Sequence, residues 1–185
     1  MQVVCKNERV AFDWDTMVSF ARSVSQPCRF EKIIGTKFNI IMDVCHNLQG
    51  VQSVLSKAAV EYPDVKRIKI AFVCSRKKKL DDVVELFNNH DKISDVFAIS
   101  KPHQRLLNPE DAFQKIGSLN CTKLRPLVTE KSASDESNPN NIAATLDHIL
   151  MNTEKPEEEL LLIIGSFFIM TDVRQYFGYQ NEEVD

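Results

Sequence analysis

Four short apolar runs, at residues 38–43, 68–74, 95–99 and 160–164, are each followed by a segment of helical periodicity. Their hydrophobicity is continuous rather than alternating; in the second run only Lys69 interrupts Ile68, Ile70, Ala71, Phe72, Val73 and Cys74. A strand that is apolar on both faces must be covered on both faces. Such runs therefore belong to a mostly parallel sheet between two layers of helices. A further strand at 30–34 is joined to 38–43 by the turn Gly35-Thr36-Lys37, and 125–129 reads as a short sixth strand. Helices are expected at 47–61, where Asn47 can cap, at 79–90, after Asn108-Pro109-Glu110, at 141–151 and at 170–177. Residues 131–141, rich in Ser, Asp and Asn, read as a loop. The first 26 residues read as a helix at 15–24 plus a linker, and residues 27–185 as one α/β domain. No internal repeat is visible.

Composition removes several classes. The hydrophobic content of 43% can support a full core, and the net charge of −3 lacks the overall basic excess of a nucleic-acid binder. The one dense basic cluster, Arg76-Lys77-Lys78-Lys79, reads as a solvated loop or helix start. The five cysteines are scattered, odd in number and form no C-x-x-C pair, so neither a disulfide framework nor a zinc site is expected. That favours a reducing compartment. The N-terminal residues read as neither a secretory signal nor a transit peptide, and no apolar stretch is long enough to span a membrane.

The candidate ligand residues lie where strands end. Asn39-Ile40-Ile41-Met42-Asp43 is an apolar run that stops at an acid, and His46-Asn47 follows at the start of a helix. Ligands of open α/β sheets bind at the carboxyl ends of strands. Asp43 can accept ribose hydroxyls there, or it can serve as a local cap beside an incidental histidine; local sequence does not separate the two. Arg29, at the entry to the first strand, is either a ligand contact or a surface arginine. Gly165-Ser166 follows the last apolar run, where glycine lets a ligand approach the backbone, or simply makes a tight turn. His103 and Arg105 form a polar cluster after the 95–99 strand, read as a solvated loop. Cys45 beside His46 reads as a buried thiol rather than a reactive one. No metal-ligand spacing, nucleophile–base pairing or phosphate-cradling Gly-rich loop is present in the 185 residues.

Three strings in this order carry a resemblance: Pro27-Cys28-Arg29-Phe30-Glu31, Ile41-Met42-Asp43-Val44-Cys45-His46-Asn47, and Leu161-Leu162-Ile163-Ile164-Gly165-Ser166 before Asp172-Val173-Arg174. They resemble the P-G-R-F-E, L-D-G-A-H-N-P and V-x-G-S-x-x-x-x-x-x-V-R strings of folylpolyglutamate synthase and dihydrofolate synthase, which are Mur ligase-like ATP-dependent amide ligases. The resemblance covers residues 20 to 178 and corresponds to the C-terminal domain only. It implies an α/β, Rossmann-like, mostly parallel six-stranded sheet with helices on both faces. In the family an acyl phosphate is made from ATP and a folate carboxylate, and glutamate's amino group then attacks it. The resemblance implies that Arg29 and Asp43 contact ATP, and that His46, Asn47 and Ser166 face the glutamate or phosphate side. The P-loop and the Mg²⁺ ligands would come from N-terminal and central domains, in cis or in trans. The 185 residues alone are therefore expected to be inactive, with no catalytic or metal residue of their own.

This sequence departs from the family where Cys28 replaces Gly, Val44-Cys45 replaces Gly-Ala and Leu48 replaces Pro. The basic run 76–79 stands where relatives often carry Asp-Lys-Asp. Two specific readings of function follow, and one generic one. One is the ATP- and glutamate-side lid of a folate ligase of one-carbon metabolism, cytoplasmic or mitochondrial, acting on folate and glutamate. The other is a non-catalytic remnant serving as an interaction or scaffold protein. A third, generic reading is a small nucleotide-binding module. The last four residues, Glu182-Glu183-Val184-Asp185, resemble the tail by which cytosolic heat-shock chaperones dock onto tetratricopeptide co-chaperones; a solvated acidic tail is the plainer reading.

Overall fold

A computed structural model describes residues 13–23, 26–128 and 140–179. Most of the 131–141 loop and the terminal Glu-Glu-Val-Asp lie outside the described residues. The elements run α1 (Trp14–Ser23), β1 (Glu31–Lys32), β2 (Asn39–Asp43), α2 (Leu48–Glu61), β3 (Arg67–Val73), α3 (Asp81–Asn89), β4 (Ile93–Ile99), α4 (Pro109–Ser118), α5 (Ile142–Met151), β5 (Glu159–Ile164), a single 3₁₀ turn (Phe167–Ile169) and α6 (Met170–Tyr176).

The sheet has the order β1-β2-β5-β3-β4. All pairs are parallel except β1 with β2, which are joined by a short turn and can run antiparallel. The central strand β5 is buried along its whole length, as its uninterrupted Leu-Leu-Leu-Ile-Ile run demands. Helices cover both faces. Val51, Val54, Val83, Phe87, Ala112 and Ile116 from α2, α3 and α4 pack on one side. Ile142, Leu146, Ile149, Met170 and Val173 from α5 and α6 pack on the other. At about 25 cal/mol per Å² of apolar area removed from water, these two layers are the main stabilising term.

Among the described residues the sheet has five hydrogen-bonded strands rather than the expected six. Past β4 they make one isolated parallel bridge, Val96 with Leu124. Asn141 is the reason. Its buried carboxamide donates to the Ala98 carbonyl at 3.0 Å and the Val128 carbonyl at 3.1 Å, and accepts from the Ser100 N–H at 2.9 Å. A side chain thus satisfies the edge of β4 where a sixth strand would have paired.

Lys69, the polar interruption in β3, is buried and pairs with the buried Glu159 at 2.7 Å, while Arg67 reaches the same carboxylate at 2.5 Å. Thr153 and the Asn152 carbonyl take the remaining Lys69 protons. This cluster lies at the amino end of the sheet, opposite the edge described next.

Candidate nucleotide-facing cleft

Connections leaving the carboxyl ends of adjacent strands diverge here. The chain leaves β2 and β3 toward the α2–α3 face, but leaves β5, which lies between them, toward the α6 face. Divergence of this kind opens a crevice at the strand ends. A cleft of about 670 Å³ occupies it. Val44 and His46 after β2, Ser75 to Lys78 after β3, Gln104 and Arg105 after β4, and Ser166 to Phe168 after β5 line it, and Arg29 reaches it from the turn before β1.

Arg29 stands on an unusual turn. Its two neighbours, Cys28 and Phe30, both have left-handed backbones, with φ of 59° and 49°. Bulky side chains avoid that region, and each such residue costs on the order of 1–3 kcal/mol. Three contacts hold the turn. The Asp43 carboxylate accepts the Phe30 N–H at 2.8 Å. Glu31 accepts the Cys28 N–H at 2.7 Å with one oxygen and pairs with Arg174 of α6 through the other. The Val44 N–H donates to the Cys28 carbonyl at 3.0 Å. The three strings read in the sequence therefore meet physically: 27–31 is fastened by Asp43 on one side and Arg174 on the other.

Three of the five expected ligand residues, Arg29, His46 and Ser166, line the one cleft. His46 Nδ1 lies 3.0 Å from the Val44 carbonyl. A carbonyl only accepts, so Nδ1 carries a proton and Nε2 is left for other partners. Ser166 is buried, and its hydroxyl does not cap the helical turn after it. Gly165 places it there. A Cβ on Gly165 would strike the Val73 carbonyl and come within 2.8 Å of the Val73 nitrogen, at a φ of 131°.

The other two make local contacts and are not among the residues that line the cleft. Asp43 is only 7% exposed and is not among the cleft-lining residues. Its second oxygen accepts the Cys45 N–H at 2.7 Å, so each carboxylate oxygen holds one backbone donor. Asn47 accepts the Gly50 N–H at 2.9 Å, the helix cap that the sequence also allowed. Cys45 is buried, and desolvation beside Asp43 pushes its thiol far up, so it is inert as read.

Sequence reasoning missed the basic loop. Arg76, Lys77 and Lys78 are the solvated loop that was expected, but that loop also forms one wall of the cleft, and Arg105 joins them. It also missed the aromatic floor. Phe168 is stacked on His103, ring centroids 4.0 Å apart, and lies 5.5 Å from the Arg105 guanidinium, while Phe167 is 66% exposed. Their signal was positional: each follows an apolar strand at its carboxyl end.

The same fold occurs in solved structures. Mycobacterium tuberculosis folylpolyglutamate synthase, complexed with ADP and AMPPCP, superposes with a TM-score of 0.65 at 19% identity, covering 91% of this chain and 36% of that one. This is the fold of one part of a folylpolyglutamate synthase. The bifunctional folylpolyglutamate synthase/dihydrofolate synthase of Yersinia pestis gives 0.64 at 11% identity, covering 92% of this chain. E. coli FolC, complexed with DHPP and ADP, gives 0.65 at 16%. The chain spans about a third of the length of these proteins, 36%, 36% and 34% respectively. No family model matches the sequence, and no curated protein does. Two of the departures noted above fit the backbone found here. Cys28 keeps the left-handed backbone that glycine would adopt freely, and Leu48 sits at the first position of α2, where proline is favoured but not required.

Proposed function

We propose that the chain is the nucleotide- and acyl-phosphate-facing lid of a folylpolyglutamate or dihydrofolate synthase-type ligase, completed by a P-loop part in cis or in trans. The observation that carries this is the Arg29 turn: two strained residues, fastened by Asp43 and by the Glu31–Arg174 pair, aim one arginine at the cleft. Backbone strain is maintained where a side chain must be held in place.

ATP fits the cleft chemically. Five of the lining residues are Arg or Lys and none is Asp or Glu. For the same reason Mg²⁺ ligands would come from the P-loop part. When bound, ATP supplies the phosphoryl group that activates a folate carboxylate. The chain's own residues would hold what surrounds it. Arg29 would neutralise phosphoryl oxygens, the Ser166 hydroxyl would orient one of them, and His46 Nε2 would face the incoming amine. Closure of the domain would exclude water from the acyl phosphate. Asp43 acts through the turn and is a positioning residue.

The test is to join the chain to the P-loop portion of a folylpolyglutamate synthase and follow ATP-dependent glutamate addition to a reduced folate. Turnover is expected to need both parts, and Arg29→Ala to lower it about a hundredfold. A remnant reused as a scaffold would give no turnover in any pairing and no effect of Arg29→Ala on the properties of the chain.

A further inference from the structure

The geometry points to a second anion subsite in this chain, formed by Arg76, Lys77 and Lys78, that takes the phosphoryl groups of a small polyphosphate without a divalent cation. It deepens the ligase reading and rests on it, since the loop lines the cleft assigned there to ATP.

The loop is built, not loose. Its first residue, Ser75, bridges to Leu106, and the Arg76 N–H donates to the Arg105 carbonyl at 2.9 Å. Lys115 of α4 donates to the Lys78 carbonyl at 2.8 Å and reaches the Arg76 carbonyl at 3.5 Å. The loop's carbonyls are thus tied to a cation behind it, while Arg76, Lys77 and Lys78 line the cleft.

Charge pairing sharpens the point. Cations elsewhere, such as Lys66, Lys101, Arg125 and Arg174, sit against carboxylates. Among the described residues none of Arg76, Lys77, Lys78 or Arg105 does, and no acid lines the cleft. Like charges gathered around a concave, low-dielectric wall raise the local potential and attract an anion. A protein of net charge −3 that concentrates unpaired cations in one cleft of about 670 Å³ is suited to a small polyanion rather than to a nucleic-acid duplex. Because Arg29 enters from the β1 side and the loop from the β3 side, the ligand needs at least two anionic groups to use both. The loop supplies the neutralising charge that a metal ion otherwise brings to a polyphosphate.

The test titrates the 185-residue chain with inorganic triphosphate by calorimetry, in EDTA and at low salt. Saturable one-to-one binding is expected, weakened at least tenfold by R76Q/K77Q/K78Q and by physiological salt. Circular dichroism and thermal unfolding of the triple variant should match the parent, since all three residues are exposed. A charge-reversed K77E chain, tested alongside, should lose binding to a similar extent. No binding, or a triple variant within twofold of the parent, overturns the proposal. So does tighter binding of tetraglutamate than of triphosphate, which would assign the cations to carboxylates.

Discussion

Asp43→Asn tests the turn that presents Arg29. The substitution keeps shape and volume but removes charge and one acceptor. Asp43 now accepts two backbone N–H groups, from Phe30 at 2.8 Å and Cys45 at 2.7 Å, at 7% exposure. A hydrogen bond to a charged acceptor contributes roughly 1.5–3 kcal/mol, and a buried N–H left without a partner costs about 1–3 kcal/mol. Asn can serve one N–H with its oxygen, but must turn its NH₂ toward the other. Relief of the carboxylate's desolvation offsets part of the loss. A destabilisation of about 2–4 kcal/mol results, within the roughly 5–15 kcal/mol that a domain holds, so the fold survives. The readout is urea unfolding at fixed pH, with a second variant, Cys28→Gly, as partner in a double-mutant cycle. Cys28→Gly removes the penalty of a φ of 59°, so it should lessen the cost of Asp43→Asn. A loss below about 0.5 kcal/mol, or additive effects of the two variants, would refute the claim that Asp43 holds the turn.

Other expectations are shorter. Gly165→Ala should destabilise by more than about 3 kcal/mol or abolish folding, because its Cβ would meet the Val73 backbone at a positive φ; thermal unfolding decides it. Asn141→Asp should cost about 2–4 kcal/mol, since a carboxylate oxygen would replace the NH₂ that now donates to Ala98 and Val128; a cost near zero in urea unfolding would remove Asn141 as the cap of β4. Burial, with Lys123 beside it, holds the His90 imidazolium below its ordinary 6.5. The unfolded chain therefore takes up that proton first, so stability is full above about pH 7 and declines toward pH 5. His90→Gln should flatten that slope in unfolding curves collected across the window. Native Cys74, pushed up to about 12 by burial, and Cys45 should resist alkylation until the chain unfolds; fast labelling of either at pH 8 would contradict their burial.

The sheet and its helices were legible because continuous apolar runs and helical spacing are local signals. The β2-α2-β3 segment shows this, with Val51, Val54, Leu55 and Ala58 on the buried face of α2 as their spacing requires. The missing sixth strand was not legible, because the partner that replaces it, Asn141, lies distant in sequence from β4. Asp43 illustrates a different limit. Its place at the end of β2 is local, but whether its oxygens face a ligand or the Phe30 and Cys45 N–H groups depends on how the preceding turn folds back. The basic run 76–79 read as a surface feature because charge alone does not tell which surface. Its place after β3, the Arg76 N–H bond to the Arg105 carbonyl and the Lys115 contacts to the Arg76 and Lys78 carbonyls put it at the cleft.

The lid proposal requires that this chain meet a nucleotide at the carboxyl-edge cleft. The most direct measurement is an amide chemical-shift titration of the isotope-labelled chain with ATP. Under the proposed lid role binding should be weak, and the shifts should gather at Arg29, at Val44 and His46, at the 75–78 loop, at Arg105 and at Ser166 to Phe168. Shifts that instead cluster at the amino end of the sheet, around Lys69 and Glu159, would contradict the claim. Submicromolar affinity for ATP by the chain alone would keep the cleft but contradict its role as a lid.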